Sequence, residues 1–222
     1  MEIIPGIHQI RGRVANCFLV DDVELMLIDT GMPGNSSKIT EYVKKTLQRN
    51  PQDIKTIVIT HQHMDHVGSL SKMKEITGAK VAIHHADADY IRGKKPHSGP
   101  AYANAMVKLI QFIYRTKPVE PDILLKNGDV IGAYQVIHTP GHTPGSICLY
   151  NSVNKAIFVG DNLRYTQGKL MNPDMRLLPE YEKYKESMKR ISKLDVEVIL
   201  TGHTKAVIGG GSELLREFVE GF

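Results

Sequence analysis

The sequence predicts an α/β fold. Short runs of apolar and β-branched residues alternate with amphipathic stretches of helical periodicity, and Gly, Pro and Asp residues separate the two kinds of segment. The chain has 222 residues, 41% hydrophobic and 23% charged, so it can bury a substantial core and has the composition of an ordinary globular protein. We expect a single domain over residues 1–222, which could consist of two closely fused halves.

The first half contains five predicted strands and three predicted helices. The strands have β-branched and apolar runs, and the first helix follows polar residues 35–37, which can cap it. Gly78 is placed to end the second helix. The third helix lies in a cap-like segment at about 98–118, which could cover a site or pack on the core. The predicted strands are 6–11, 15–21, 24–28, 54–60 and 80–84, and the predicted helices are 38–49, 69–77 and 100–115.

The second half repeats the plan of a sheet followed by helices, without a close sequence repeat. A long loop is predicted over residues 162–179, and loops of this length in compact domains tend to be functional or mobile. The predicted strands are 129–131, 134–138, 146–150, 156–160 and 196–200, and the predicted helices are 179–194 and 212–219.

Charge and cysteine content exclude several classes of protein. The net charge of +4 comes from scattered lysines and arginines, and the densest basic run, residues 92–95, is too short for a nucleic-acid-binding stripe. Cys17 and Cys148 lie in apolar runs and do not suggest a disulfide framework. No secretory signal and no membrane-spanning run are recognised, so we expect a cytoplasmic protein with no membrane or nucleic-acid partner.

Four strand-like runs lead directly into a His or an Asp. In sheets with helices on their faces, ligands collect beyond the carboxyl ends of strands, where loops converge. Imidazole and carboxylate groups are the usual nitrogen and oxygen donors to zinc and related ions. The four residues are His61, His142, Asp161 and His203.

The loop that starts at His61 contains four possible metal ligands in six residues. A helix could not aim all four together, so we expect an irregular turn that leads into the helix after Gly68. We assign His61, His63 and His142 to a first ion, Asp65, His66 and His203 to a second, and Asp161 to a bridge between them. Each ion then keeps an open position, as catalytic sites do. The remaining histidines, His8, His84, His85, His97 and His138, are interpreted as ordinary surface or core residues.

The motifs around these ligands resemble those of the metallo-β-lactamase superfamily. They are Leu27-Ile28-Asp29-Thr30-Gly31, Thr60-His61-Gln62-His63-Met64-Asp65-His66-Val67-Gly68, Thr139-Pro140-Gly141-His142-Thr143-Pro144-Gly145-Ser146, Val159-Gly160-Asp161 and Thr201-Gly202-His203. The resemblance implies an αββα four-layer sandwich with a dinuclear site at one edge of the sheets. The ligand set is most similar to that of glyoxalase II-like and lactonase-like hydrolases. However, the chain stops soon after His203, without the helical extension of glyoxalase II that contacts glutathione, so a dedicated glutathione thioesterase is not expected.

Two divalent ions, expected to be zinc with iron or manganese as alternatives, would lower the pKa of a shared water and form a bridging hydroxide. This hydroxide would attack an ester, thioester, lactone or related bond of a small-molecule substrate. Asp65 could orient it or accept its proton. Asp29 could hold a ligand histidine or could equally be a turn residue before Gly31. The candidate substrate contacts are Arg164, Tyr165 and Met171 on the long loop and Phe112 and Tyr114 in the helical segment.

Two other functions are compatible with the sequence. One is an iron-dependent oxygenase, because the persulfide dioxygenase branch of the superfamily shares the loop motif. The other is a member that binds metal without catalysis. The substrate and the oligomeric state stay open, because pocket shape and loops determine specificity within a fold.

Overall fold

A computed structural model describes residues 1–22, 24–96 and 101–222, except for the side chains of residues 101–104, 106 and 177. The chain divides into two units, Met1–Leu124 and Leu125–Phe222. The strands are β1 (Glu2–Ile4), β2 (Ile7–Arg11), β3 (Asn16–Asp21), β4 (Leu25–Ile28), β5 (Ile54–Ile59), β6 (Lys80–His84), β7 (Ile123–Leu125), β8 (Val130–Ile131), β9 (Tyr134–His138), β10 (Ile147–Asn151), β11 (Ala156–Gly160), β12 (Arg164–Thr166), β13 (Lys169–Met171), β14 (Val198–Thr201) and β15 (Val207–Ile208). The α-helices are α1 (Ser36–Lys45), α2 (Met64–Val67), α3 (Leu70–Thr77), α4 (Ala88–Ile91), α5 (Ala101–Tyr114), α6 (Tyr181–Ile191) and α7 (Gly211–Glu220).

The sheet of the first unit has the strand order β1-β2-β3-β4-β5-β6-β7. Strands β1 to β4 are antiparallel, whereas β4, β5 and β6 run parallel. The apolar residues of α1 and α3, among them Ile39, Val43 and Met73, pack against Leu27 and Ile57 of the sheet. The carboxyl ends of β4 and β5 therefore lie side by side, and the loops that leave them start next to each other.

The sheet of the second unit has the order β15-β14-β11-β10-β9-β8, with the β12-β13 hairpin as a separate pair. Strands β8 to β11 are antiparallel, and β14 runs parallel to β11. Side chains of α6 and α7, including Tyr184, Met188 and Leu215, pack with Cys148 and Ile199 in one core cluster. Here too, parallel β11 and β14 end at the same edge.

All the predicted strands and helices are present, with ends displaced by a few residues. The strands β1, β7 and β15 and the helix α4 are too short to have been recognised from residue periodicity. The first helix has its N-cap position at Asn35, within the predicted cap of residues 35–37, but without a side-chain capping bond. Asn35 makes no capping hydrogen bond, because its side-chain amide donates to the Cys17 sulfur and the Thr30 carbonyl, and Ser36 already lies inside α1.

The prediction of an unstructured loop at 162–179 is also wrong. The segment contains the hairpin β12-β13 and a 3-10 turn at Met175–Leu177. Gln167 and Gly168 form the hairpin turn, both with positive φ, as a two-residue turn between twisted strands requires. Of the cap-like segment at about 98–118, residues 98–100 are outside the described residues, and α5 accounts for most of the rest. In the described part of the chain, we find no helix with the length and hydropathy needed to cross a bilayer.

Candidate metal centre

In the first unit, Asp29 anchors the histidine loop. It follows β4, and its carboxylate accepts hydrogen bonds from the Thr60 backbone N–H at 2.8 Å and from the Thr60 hydroxyl at 2.7 Å. A third bond comes from His66, whose Nδ1 lies 2.7 Å from Asp29 Oδ2. All three residues are almost completely buried. The strand ends of β4 and β5 are thus joined through one carboxylate to the helical turn α2.

This network sets the tautomers of two histidines. A carboxylate only accepts hydrogen bonds, so His66 carries its proton on Nδ1. The Thr60 hydroxyl donates to Asp29 and therefore accepts from His61 Nδ1, which lies 3.1 Å away. Both imidazoles then present Nε2 as the ligand nitrogen. This is the usual arrangement of metal-binding histidines, in which the second ring nitrogen is held by an acceptor.

The four donors of the loop lie close together. The ring centroids of His61 and His66 are 4.2 Å apart, and those of His61 and His63 are 4.9 Å apart, edge to face. Asp65 Oδ2 lies 3.9 Å from His66 Nε2. His61 and His66 are buried, whereas His63 and Asp65 are partly exposed. The expected irregular turn covers only residues 61–63, because Asp65 and His66 lie in α2.

The second unit contributes a second group of donors at the ends of β11 and β14. The Oδ2 atom of Asp161 lies 2.9 Å from His203 Nε2 and 3.6 Å from His142 Nε2. His142 is placed by the loop after β9, which Thr139 closes by donating its backbone N–H to the Ser146 carbonyl. His142 and Asp161 are buried. Two imidazole nitrogens therefore approach one carboxylate oxygen.

The chemistry of these donors fits divalent transition metals. His and Asp side chains among the described residues form groups of three or more that could hold a metal ion, and all seven predicted ligands belong to them. The buried imidazoles have oriented rings and nitrogen donors, and the carboxylates supply the negative charge that compensates a cation. In contrast, the histidines interpreted as ordinary residues belong to no such group among the described residues, and His97 is outside them.

The candidate substrate contacts lie on the β12-β13 hairpin and on helix α5. Arg164 and Tyr165 are partly exposed on β12, and the Tyr165 backbone N–H donates to the Thr204 hydroxyl at 2.8 Å. This bond attaches the hairpin to the residue that follows His203. Met171, on β13, is half exposed. Phe112 and Tyr114 are exposed on α5. Their contacts with a substrate stay predictions.

Sequence reasoning missed three residues that hold the ligand loops. Asp87 is buried, and its Oδ2 accepts the backbone N–H of Gln62 at 3.1 Å. In the second unit, the side-chain amide of Asn162 donates to the Thr139 hydroxyl at 2.9 Å. Tyr184 donates its hydroxyl to the Asn162 carbonyl at 2.8 Å. In the sequence, the position of Asn162 directly after Asp161 could have indicated its role. Asp87 has the appearance of an ordinary polar loop residue and Tyr184 that of an ordinary helical core residue, so nothing in the sequence indicated theirs.

The chain is similar in sequence to known proteins. Residues 10–203 match the model of the metallo-β-lactamase superfamily. The chain is 26% identical to the probable metallo-hydrolase YflN of Bacillus subtilis, over 91% of this chain and 85% of that protein. It is 30% identical to the human acyl-coenzyme A thioesterase MBLAC2, over 86% of this chain and 74% of that protein.

A solved structure is similar as well. The metallo-β-lactamase family protein TTHA1429 of Thermus thermophilus has a TM-score of 0.74 and 22% identity, over 99% of this chain and 80% of that one. This likeness confirms the predicted α/β sandwich of the metallo-β-lactamase type. The predicted glyoxalase II-like or lactonase-like branch stays a prediction. By sequence and fold, the chain belongs to the metallo-β-lactamase superfamily and is a metal-dependent hydrolase.

Proposed function

We propose that the protein binds two divalent ions, preferentially zinc, and hydrolyses a thioester or a related ester or lactone of a small molecule. The observation that carries this proposal is the hydrogen-bond network of Asp29, Thr60, His61 and His66, which presents two buried imidazoles through Nε2. Such pre-oriented nitrogens suit a metal, whereas a solvated surface histidine needs no fixed tautomer.

The proposed ligand sets are those expected from the sequence. His61, His63 and His142 would hold the first ion and Asp65, His66 and His203 the second, and Asp161 would serve as a ligand in both sets. Two observations support this assignment. Each set contains at least three side chains of the types that hold zinc. Asp161 already lies near two imidazoles of its own unit, those of His142 and His203. When bound, the two ions would supply the Lewis acidity that lowers the pKa of a shared water towards neutrality.

The chain's own residues have separable tasks in this proposal. Asp29 holds His66, and through Thr60 also His61, so that the ligand nitrogens need no reorganisation. Asp65 is the carboxylate on the partly exposed side of the cluster, and it accepts the proton of the attacking water or orients that water. Tyr165, whose backbone N–H donates to the hydroxyl of Thr204 next to His203, donates its own hydroxyl to the substrate carbonyl oxygen.

A thioester is the first substrate class to test, because the human relative at 30% identity is named an acyl-coenzyme A thioesterase. We propose a panel of acyl thioesters, aryl esters, lactones, phosphodiesters and β-lactams, assayed on zinc-, manganese- and iron-loaded protein. We expect turnover of thioesters or esters that needs added metal and is abolished by a chelator. Oxygen uptake by the iron form with a persulfide would favour the oxygenase instead. Metal binding without turnover of any substrate would favour a non-catalytic member.

A further inference from the structure

Helix α6 contacts two of the three ligand-bearing loops of the second unit, those that carry His142 and Asp161. The Tyr184 hydroxyl donates to the carbonyl of Asn162, which follows Asp161, at 2.8 Å. The Ser187 hydroxyl donates to the carbonyl of Pro140 at 2.9 Å. Between these contacts, Gly141 approaches so closely that a Cβ atom there would lie 2.5 Å from the Tyr184 Cβ. Gly141 has φ 141, a conformation that favours glycine. Helix α6 thus contacts the main chain at residue 162, directly after Asp161, and at residues 140 and 141, directly before His142.

We infer that Tyr184 is a positioning residue that fixes the backbone carrying Asp161 and His142 in the geometry a metal ion requires. The inference rests on the proposed function, in which both residues are metal ligands. Tyr184 is completely buried, and its hydroxyl bond to the main chain allows little movement of residue 162. The Asn162 side chain extends the restraint to the second loop, because it donates to the Thr139 hydroxyl at 2.9 Å.

The hydroxyl can play this part over the whole physiological pH range. Burial, with a smaller contribution from Tyr181, raises the pKa of Tyr184 far above its ordinary value, so the group stays a neutral donor. Metal–ligand distances tolerate displacements of only about 0.2 Å. Loss of groups that orient ligands typically costs 10- to 100-fold in metal affinity. A small shift of residues 161 and 142 is therefore expected to be measurable as weaker binding.

The chain offers a matched control in Tyr150. Its hydroxyl also donates to a main-chain carbonyl at 2.8 Å, that of Asp195, and its ring belongs to the same core cluster as Tyr184. Asp195 is not adjacent in sequence to any proposed ligand. Tyr184→Phe and Tyr150→Phe each remove one phenolic hydrogen bond of equal length to a main-chain carbonyl, buried at Tyr184 and partly buried at Tyr150. Only the first removes a bond to a ligand-bearing loop.

The test compares wild-type protein and the two variants in three measurements. These are the melting temperature of the metal-free protein, the zinc affinity measured by competition with a chromophoric chelator, and the visible spectrum of the cobalt-loaded protein. We expect both variants to lower the melting temperature of the metal-free protein by at most a few degrees. Tyr184→Phe alone should lower zinc affinity about tenfold and shift the cobalt bands. Equal zinc affinity and spectra in both variants would overturn the inference. If wild-type protein itself bound no metal, the proposed function would fail instead. Should Tyr184→Phe not fold, Asn162→Ala tests the same restraint from its other end, because it removes the side-chain bond to Thr139 that extends the Tyr184 contact to the His142 loop; zinc affinity equal to that of Tyr150→Phe would again overturn the inference.

A second, independent observation concerns the outer face of α5. Leu109, Phe112 and Ile113 are spaced three and four residues apart, so they form one stripe on the helix. Each is more than half exposed, and Phe112 is 83% exposed. Lys108 and Arg115 are exposed in the same turns of the chain. Contiguous apolar exposure of this kind marks a site of interaction, whereas single exposed apolar residues are normal.

The charge of this face indicates the chemistry of its partner. Residues 101–119 include no Asp or Glu, while Lys108, Arg115 and Lys117 are basic. Two copies meeting through this face would bring like charges together, which disfavours self-association. An apolar stripe edged by basic residues on an exposed helix suits the interface of an anionic lipid layer. We propose that α5 docks the protein on an anionic lipid surface. This differs from the expectation of no membrane partner drawn from the sequence.

Vesicle flotation tests this docking. Wild-type protein should float with phosphatidylcholine vesicles that contain phosphatidylglycerol, should float much less with phosphatidylcholine alone, and should be released by high salt. Phe112→Asp should reduce flotation at least tenfold. The control Val153→Asp, at a site 90% exposed in the other unit, should leave it unchanged. Flotation that is absent, or equal in Phe112→Asp and wild type, would overturn the proposal. So would a concentration-dependent dimer that Phe112→Asp dissociates, since a second copy would then be the occupant.

Discussion

The Oδ2 atom of Asp29 and the Nδ1 atom of His66 lie 2.7 Å apart, and both side chains are buried. The same carboxylate receives both the backbone N–H and the hydroxyl of Thr60. One acidic side chain therefore orients two of the four donors in the histidine loop, His66 directly and His61 through Thr60. The contact links residues 37 positions apart in the sequence.

Replacing Asp29 with Asn should weaken metal binding. The neutral amide removes the charge that favours the Nδ1–H tautomer of His66, and zinc affinity should fall 10- to 100-fold. Isothermal titration calorimetry of the metal-free protein with zinc measures this affinity. Asp122→Asn is the control, because Asp122 is another hydrogen-bonded carboxylate of the same unit that belongs to no metal-binding group among the described residues. Equal zinc affinity in the two variants would contradict the role given to Asp29.

Replacing Tyr165 with Phe should lower kcat and leave metal content unchanged. The proposed hydroxyl donor acts on the substrate carbonyl, and loss of one such donor typically costs 100- to 1,000-fold in kcat. The backbone bond from Tyr165 to Thr204 is kept in the variant, so the hairpin should stay attached. Steady-state kinetics on the substrate found in the panel, with zinc quantified in the same sample, make the measurement. Unchanged kinetics would exclude Tyr165 as a donor.

The stability of the first unit should depend on the charge of Asp122. Burial alone would raise the pKa of Asp122, but hydrogen bonds from Lys74 and the Val81 backbone N–H, together with the Lys74 charge, hold it below its ordinary value. Such a carboxylate stabilises the fold above its unfolded pKa of about 3.9, and this contribution is lost as the pH falls through the lower folded value. Because the pair is partly exposed, we expect Asp122→Asn to cost only about 0.5–1 kcal/mol at pH 7.

Urea denaturation at pH 8, pH 5 and pH 3 measures this dependence. The difference in unfolding free energy between wild type and Asp122→Asn should be constant between pH 5 and pH 8, a window above the carboxyl's unfolded pKa of about 3.9, and should shrink at pH 3. A difference that grows as the pH falls would show that the carboxylate is not held in its charged form by Lys74.

Both cysteines should be unreactive in the folded protein. Cys17 and Cys148 are completely buried free thiols, and burial raises the pKa of Cys148 to about 12 and that of Cys17 well above its ordinary value. Since the thiolate is the reactive form, a thiol reagent at pH 8 should detect almost no thiol in native protein and two after denaturation. Rapid labelling of either cysteine without denaturant would contradict the buried placement.

Much of the site could be predicted from the sequence because ligands in such sheets collect beyond the carboxyl ends of strands. His61, Asp161 and His203 each follow a buried strand, and parallel pairs β4-β5 and β11-β14 end at one edge of their sheets. The same rule also selects His84, at the end of β6, which is buried but belongs to no metal-binding group among the described residues. Position at a strand end thus reduces the number of candidate metal ligands. The cluster of donors in residues 61–66 then distinguishes the metal-binding loop from a strand end such as that of β6.

The parts that sequence reasoning missed depend on contacts between distant residues. The β12-β13 hairpin has three-residue strands and a Gln-Gly turn, which lacks the Asn or Asp that usually marks such turns. Tyr184 has the pattern of a helical core residue, and only its distance to the Asn162 carbonyl distinguishes it from a residue that fills space. The substrate cannot be read from the motifs either, because they describe the metal ligands and not the pocket.

The most direct test of the account is the zinc stoichiometry of wild-type protein and of Asp161→Ala, measured by elemental analysis after zinc loading and dialysis. We predict two zinc ions per wild-type chain. In Asp161→Ala, which loses the carboxylate near His142 and His203, we predict one or none, together with loss of hydrolysis. One zinc ion or none per wild-type chain, or two zinc ions and full activity in the variant, would contradict the dinuclear site.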